Sequence, residues 1–172
     1  NDLGAGMAQA LGYRLKDRAG RELASGGAAL AGLNSIDTAG VHPALRQAEI
    51  VAACDVDNPL CGPSGASHVY GPQKGATPET AAFLDQALQH AGRLIDATLH
   101  TSILSTPGAG AAGGLGGGVM AFLGGRLRPG IEVVAEATRL EQRIVGASLV
   151  MTAEGAIDAQ TVHGKTPVGV AR

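Results

Sequence analysis

Residues 50–79 read Ile-Val-Ala-Ala-Cys-Asp-Val-Asp-Asn-Pro-Leu-Cys-Gly-Pro-Ser-Gly-Ala-Ser-His-Val-Tyr-Gly-Pro-Gln-Lys-Gly-Ala-Thr-Pro-Glu. The apolar run 50–54 has the character of a buried strand, and Pro59 forbids further pairing. Asp55, Asp57 and Asn58 are thereby delivered to the strand's end. At the other side of the stretch, Thr77, Pro78 and Glu79 supply a hydroxyl N-cap, a proline at the first helical position and an early acid, which together start a helix. Between them lie Gly62, Gly65, Gly71 and Gly75, the hydroxyls of Ser64 and Ser67, and the point charge of Lys74. Backbone freedom, hydroxyls and a cation are phosphate- and metal-handling groups. Loops longer than about 12 residues in compact domains are usually functional.

The helix that begins at Thr77 is expected to reach about residue 98, with Leu84, Leu88, Ala91 and Ile95 on one stripe. On the amino-terminal side, Asn1-Asp2 followed by Leu3, Met7 and Leu11 reads as a capped helix closed by Gly12. Residues 13–16 and 21–23 flank a polar turn and are expected to form a hairpin. Residues 25–33 suit a short helix, and 35–43 a polar connection in which Asp37 and His42 are solvated. His90 and His100 are lone histidines assigned to the surface.

A second glycine-rich stretch, Ser105-Thr106-Pro107-Gly108-Ala109-Gly110-Ala111-Ala112-Gly113-Gly114, leads into a helix over 115–123. Gly108, Gly110 and Gly113 satisfy G-x-G-x-x-G, residues 101–104 read as a strand before it, and Glu132 follows about 20 residues later, as a dinucleotide fingerprint requires. The same glycines equally suit close helix packing or an anion at a helix start. A helix over 131–143 and a buried strand over 147–152 come next. The loop beyond that strand carries Glu154, Asp158, Gln160, Thr161, His163 and Lys165, and the carboxyl ends of strands are where open α/β sheets bind ligands. Residues 159–166 resemble a P-loop, but Ala159 stands at its first glycine and acids lie between strand and lysine, so the stretch is not assigned as one.

Bulk properties exclude several classes. In 172 residues, 45% are hydrophobic but only 2% aromatic, with no tryptophan, so a core must be built from alanine, valine, leucine and isoleucine. That favours helices packed closely on a sheet. A formal net charge of -2 offers no basic footprint for nucleic acid. No apolar run approaches the ~20 residues of a membrane span, and no signal-peptide pattern is present, so the chain reads as cytoplasmic. Cys54 and Cys61 match no zinc spacing and are expected to be reduced packing residues.

The 54–60 and 71–79 segments, together with Asn-Asp-Leu-Gly-Ala-Gly-Met at 1–7, Pro-Gly-Ala-Gly-Ala-Ala-Gly-Gly at 107–114 and Glu-Gly-Ala-Ile-Asp-Ala-Gln-Thr-Val-His-Gly-Lys-Thr-Pro at 154–167, closely resemble the bacterial glycerate kinases with two α/β domains. The likeness runs the whole length, in order, and corresponds to the middle and later-middle of such an enzyme, so a partial chain is expected. Leu3, Ala153, Ala156 and Ala159 depart from the family pattern, which has glycine at the first, second and fourth of these and a basic residue at Ala156.

The resemblance implies an α/β fold in which 1–145 form the family's inserted domain and 146–172 begin the return into its doubly wound parallel domain. It implies ATP-dependent phosphorylation of D-glycerate, with Mg²⁺. Asp55, Asp57, Lys74 and Asp158 are the expected catalytic residues. Asn1, Asp2, Asn58, Gln73, Gly108, Gly110, Glu154, Gln160, Thr161, His163 and Lys165 are expected to bind substrate or nucleotide, and Asp55, Asp57 and Glu154 to hold the metal. The alternatives are a catalytically silent glycerate-binding or assembly fragment and a nicotinamide-dinucleotide module. A core of small residues separated from its partner domain would also favour self-association, giving a homo-oligomer, or association with another polypeptide.

Overall fold

With so few aromatic residues, the interior is closed by leucine and alanine. Leu3, Leu15, Leu30, Leu33, Leu60, Leu88, Ile95 and Ile103 are fully buried, with Ala5, Ala8, Ala66, Ala87, Ala91 and Ala109 filling the gaps between them. The computed structural model describes residues 1–155 and 166–171. The chain divides into two compact units, Asn1–Leu127 and Arg128–Arg172. The fold is mixed α/β.

In the first unit the order is α1 (Ala5–Ala10), β1 (Arg14–Lys16), a 3₁₀ turn at Gly27–Gly32, β2 (Ser35–Asp37), a second 3₁₀ turn at Pro43–Arg46, β3 (Val51–Ala53), α2 (Ala66–Tyr70), a third at Pro72–Lys74, α3 (Pro78–Leu99), α4 (Ala111–Leu123) and β4 (Arg126–Arg128), within which the unit ends. β1 and β2 are antiparallel with Leu15 opposite Ile36. β3 pairs with β4 in a second two-stranded sheet, beside which Arg126 N donates to Ile50 O at 3.0 Å.

α3 begins and ends close to where its sequence signals put it. The Thr77 side chain accepts from Thr80 N at 3.2 Å, Pro78 opens the helix, and His100 leaves it in the left-handed region. Leu88, Ala91 and Ile95 of the expected stripe are buried, joined by Ala81 and Ala87, while Leu84 is half-buried. On α4, Phe122 meets Tyr13 edge-to-face at 5.1 Å, and the Tyr13 hydroxyl donates to Phe122 O at 2.7 Å. The first unit's one buried aromatic pair is thus tied by both ring and hydroxyl.

Four local expectations are corrected. The strand 21–23 returns only as a single bridge from Lys16 to Glu22, and β1 pairs instead with residues 35–37, which read as a polar connection. Asp17 draws the tip tight by accepting from Ala19 N and Arg21 N, both at 2.9 Å, and long-range pairing with Ile36 wins because it covers the buried Leu15. Residues 25–33 form a 3₁₀ rather than an α-helical segment. Residues 101–104 form a turn, not a strand, because Asp96 captures their backbone groups. Helix α1 starts at Ala5, two residues after the expected first helical residue Leu3, and has no side-chain cap; Asp2 Oδ1 instead accepts from Gly4 N at 3.2 Å.

Leu3 sits at φ 57° with its side chain fully buried. A left-handed leucine costs roughly 1–2 kcal/mol, and full burial of the side chain returns about 1.5–3 kcal/mol. The two nearly cancel, which explains how leucine is held at a left-handed position.

The second unit contains α5 (Gly130–Thr138), α6 (Leu140–Ile144) and α7 (Thr166–Ala171). One continuous helix over 131–143 was the expectation; Arg139, at φ 52°, breaks it in two. Arg128 reaches Glu136 at 2.5 Å and Glu132 at 3.7 Å. Residues 147–152, expected to be a buried strand, pair with no strand among the described residues and are exposed, Leu149 to 75% and Met151 to 87%. A strand needs a neighbour for its backbone groups, and none of the described residues supplies one.

Candidate functional site

Three stretches singled out in the sequence meet in the first unit: the loop after β3, the glycine turn before α4, and the start of the chain. Gly110 N donates to Asn58 O at 2.9 Å. A Cβ at Gly110 would stand 2.1 Å from Pro59 O, so only glycine permits this approach. At the next turn Ala112, Gly113 and Gly114 are consecutively left-handed, with φ of 51°, 76° and 93°. A Cβ at Gly113 would lie 2.4 Å from Asn1 Oδ1. Asn1 is itself held on both sides: its Nδ2 donates to Ala66 O at 3.0 Å, and its Oδ1 accepts from Lys74 Nζ at 2.8 Å. Lys74 therefore presents its charge beside the glycine turn.

The loop after β3 is tied to its surroundings through Asn58. Its Oδ1 accepts from the Tyr70 hydroxyl at 2.8 Å, and its Nδ2 donates to Ser64 O at 2.9 Å. Both ends of the amide are thus committed within the protein. Asp55 and Asp57 lie just before it and are exposed. The Tyr70 hydroxyl is pushed above its ordinary range, first by burial and then by Cys54 and the Asp57 carboxylate.

Two carboxylates of α3 hold the loops from beneath. Asp85 accepts from Gly62 N at 2.9 and 3.2 Å through its two oxygens. Asp96 accepts from Thr101 Oγ1 at 2.7 Å, Ile103 N at 2.8 Å and Leu104 N at 3.2 Å. Burial, aided by Asp85, pushes the Cys61 thiol up to about 12, with Arg93 opposing. Cys61 is accordingly an inert packing thiol at neutral pH. Both cysteines are free.

Of the other expected site residues, Gln73 is exposed in the Pro72–Lys74 turn, Asp2 serves the turn before α1, and Gly108 takes φ 81° beside Val56 O. Glu154 is half-buried in the second unit. Asp158, Gln160, Thr161, His163 and Lys165 lie outside the described residues. Among the described residues no group of three or more His, Cys, Asp or Glu side chains is gathered as a metal cage. A cavity of about 400 Å³ in the first unit is lined by Ser102, Thr106, Arg126 and Leu127, and one of about 600 Å³ in the second unit by Arg128, Glu132 and Arg139. Neither is lined by Asp55, Asp57 or Lys74, all three of which are exposed.

The dinucleotide fingerprint lacks its context. A G-x-G-x-x-G site wraps directly from a strand into a helix. Here a turn precedes the glycines, and the third glycine sits in a left-handed run packed on Asn1. Tyr70, Asp85 and Asp96 were not flagged by the sequence. Nothing marks Tyr70 beyond its place in the loop, whereas two aspartates eleven residues apart on the polar side of an amphipathic helix are a signal that can be read.

The profile of the glycerate kinase family matches residues 1–172. The chain belongs to that family. It is 51% identical to the glycerate 2-kinase of Escherichia coli (strain K12) over 171 residues, covering 99% of this chain and 45% of that protein. It is also 51% identical to the glycerate kinase of Bacillus subtilis (strain 168) over 172 residues, again 45% of that protein. A crystal structure from Salmonella typhimurium LT2, described there as glycerate kinase 2, superposes with a TM-score of 0.90 at 53% identity, covering 99% of this chain and 46% of that one. The chain thus spans about 45% of the length of the curated glycerate kinases it matches. Among the described residues no helix is long and apolar enough to cross a membrane.

Proposed function

We propose that this chain is part of an ATP-dependent glycerate kinase, transferring a phosphoryl group to the 2- or 3-hydroxyl of D-glycerate in the cytoplasm. Residues 1–145 then belong to the inserted domain, and 146–172 begin the doubly wound domain. The observation that carries the reading is the junction of three family stretches through Lys74–Asn1 and Gly110–Asn58.

Phosphoryl transfer rests on positioning and charge neutralisation more than on covalent chemistry. Lys74 neutralises an anionic reactant, phosphate or glycerate carboxylate, from beside Asn1 and Asp2. Gly108, Gly110 and Gly113 are themselves buried, and their lack of side chains lets the turn close on the loop after β3 and on Asn1, which holds Lys74. Asp55 and Asp57 suit Mg²⁺, a hard cation that takes one or two carboxylates plus substrate phosphate oxygens and needs no larger protein cage. Bound there with ATP, the metal supplies charge neutralisation for the transferring group. One of the two aspartates orients the acceptor hydroxyl and takes its proton. Gln73 and Asn58 frame this surface, and Glu154, Asp158, Gln160, Thr161, His163 and Lys165 complete the polar inventory of the reading.

The full-length protein carrying this sequence is assayed with D-glycerate and ATP·Mg²⁺. Asp55→Asn or Asp57→Asn should keep the fold while kcat falls ~10²-fold or more, and Lys74→Ala should chiefly raise KM. A folded double variant, Asp55→Asn with Asp57→Asn, that turns over like wild type refutes the assignment. The exposed run at Val145, Leu149 and Met151 supports a second expectation, that the 172-residue chain associates with itself or with another polypeptide. Light scattering showing a monomer across micromolar concentrations refutes it.

A further inference from the structure

Asn58 is the hinge point between the acidic loop and the glycine turn: its carbonyl receives Gly110 N, and its side chain receives the Tyr70 hydroxyl. The amide's orientation is not free. Ser64 O can only accept, so Nδ2 must face it and Oδ1 must face Tyr70. The Tyr70 hydroxyl is the one side-chain donor seen on that oxygen among the described contacts, and it comes from the last residue of α2, whose first residue, Ala66, receives Asn1 Nδ2. A single five-residue helix thereby grips the chain start at one end and the acidic loop at the other.

We infer that Tyr70 is a positioning residue, whose hydroxyl acts through Asn58 to set the distance between Asp57 and the glycine turn at Gly110. The inference rests on the proposed kinase reading for its kinetic consequence, though not for its structural one. Tyr70→Phe removes one oxygen and keeps the ring, so packing is preserved while Asn58 Oδ1 loses its donor. Misplacement of a catalytic group by about 1 Å can cost 10²-fold in rate, so loss of this one tether should lower kcat by about tenfold.

The test uses the full-length protein as wild type, Tyr70→Phe, Asn58→Ala and the double variant, with kinetics on D-glycerate and ATP·Mg²⁺, melting temperature, and amide exchange over 107–114. Expected are a tenfold fall in kcat for Tyr70→Phe with KM for D-glycerate held within about twofold, an unchanged melting temperature, faster exchange at Gly110, and a double variant no worse than Asn58→Ala, because the two residues act as one unit. Wild-type kcat and exchange in Tyr70→Phe, strictly additive effects, or a loss of cooperative melting each overturn the inference. A wild-type protein that does not phosphorylate D-glycerate overturns the kinase reading alone. The exchange at Gly110 then decides the role of Tyr70 by itself.

Discussion

Substituting Gly110 by alanine sets two opposed effects against each other. Gly110 has φ −77° and ψ −10°, which alanine adopts without strain, so the unfolded-state term favours the variant by about 0.4–1 kcal/mol. Against it, the new methyl lands 2.1 Å from Pro59 O, 2.9 Å from Pro59 C and 3.0 Å from Asn58 O, all of them backbone atoms that cannot rotate away. Relieving the contact parts the two loops by about 1 Å, which takes the 2.9 Å bond from Gly110 N to Asn58 O out of hydrogen-bonding range. The lost bond costs about 1 kcal/mol and the overpacking about 1–3 kcal/mol. The clash wins, leaving a net loss of about 2 kcal/mol. Urea unfolding of the 172-residue chain should show the midpoint about 1 M lower at unchanged slope. Gly32→Ala, whose methyl meets only Leu23 Cδ2 at 3.9 Å, is the matched control and should stay near wild type. A Gly110→Ala chain as stable as that control would refute the contact between the loops.

Three further outcomes follow from the same structure. Ser67 is fully buried and its hydroxyl has no partner among the described residues, so Ser67→Ala should raise the melting temperature, or at least leave it unchanged, since alanine removes an unsatisfied group and favours the helix. Thr77→Ala removes the cap on Thr80 N and should destabilise by about 1 kcal/mol in the same urea assay. The Cys61 thiol stands at about 12 in the fold against an ordinary 9.0, so the folded state holds its proton longer than the unfolded one. Its contribution is fully present below pH 9.0 and is lost as pH rises toward about 12, and Cys61→Ala should flatten the decline in melting temperature measured over that window.

Local signals were read well and pairing partners were not. Thr77-Pro78-Glu79 and the leucine–alanine stripe that follows specify α3 because capping and amphipathic periodicity act within the helix itself. The turn at 101–104 and the β1–β2 pair depend on residues outside the segments themselves: Asp96, on the preceding helix, captures backbone that would otherwise extend, and Ile36 takes the place opposite Leu15 that residues 21–23 were expected to fill. The apolar pattern of 147–152 is that of a strand, but a pattern records what a segment can bury and not whether a neighbour is there to bury it. For the site, residue types at the end of β3 and the glycine turn could be recognised from their chemistry. That Asn58 would spend its amide on Tyr70 and Ser64 could not, since an exposed ligand and an internal tether have the same one-letter code.

The two aspartates beneath the loops give α3 a function as a ruler. Asp85 and Asp96 are eleven residues apart, which returns them to within roughly 20° on the helix surface and separates them by about 16 Å along it. One holds the loop at Gly62, and the other holds the turn that opens the path to the glycines. A residue inserted or deleted between them would swing one carboxylate by about 100° and release one of the two loops. The length of this segment is therefore fixed as firmly as any side chain in the site, and change in chain length has to be accommodated elsewhere, as at the open Asp17–Gly20 tip, where a methyl added at Gly20 touches nothing within 4 Å.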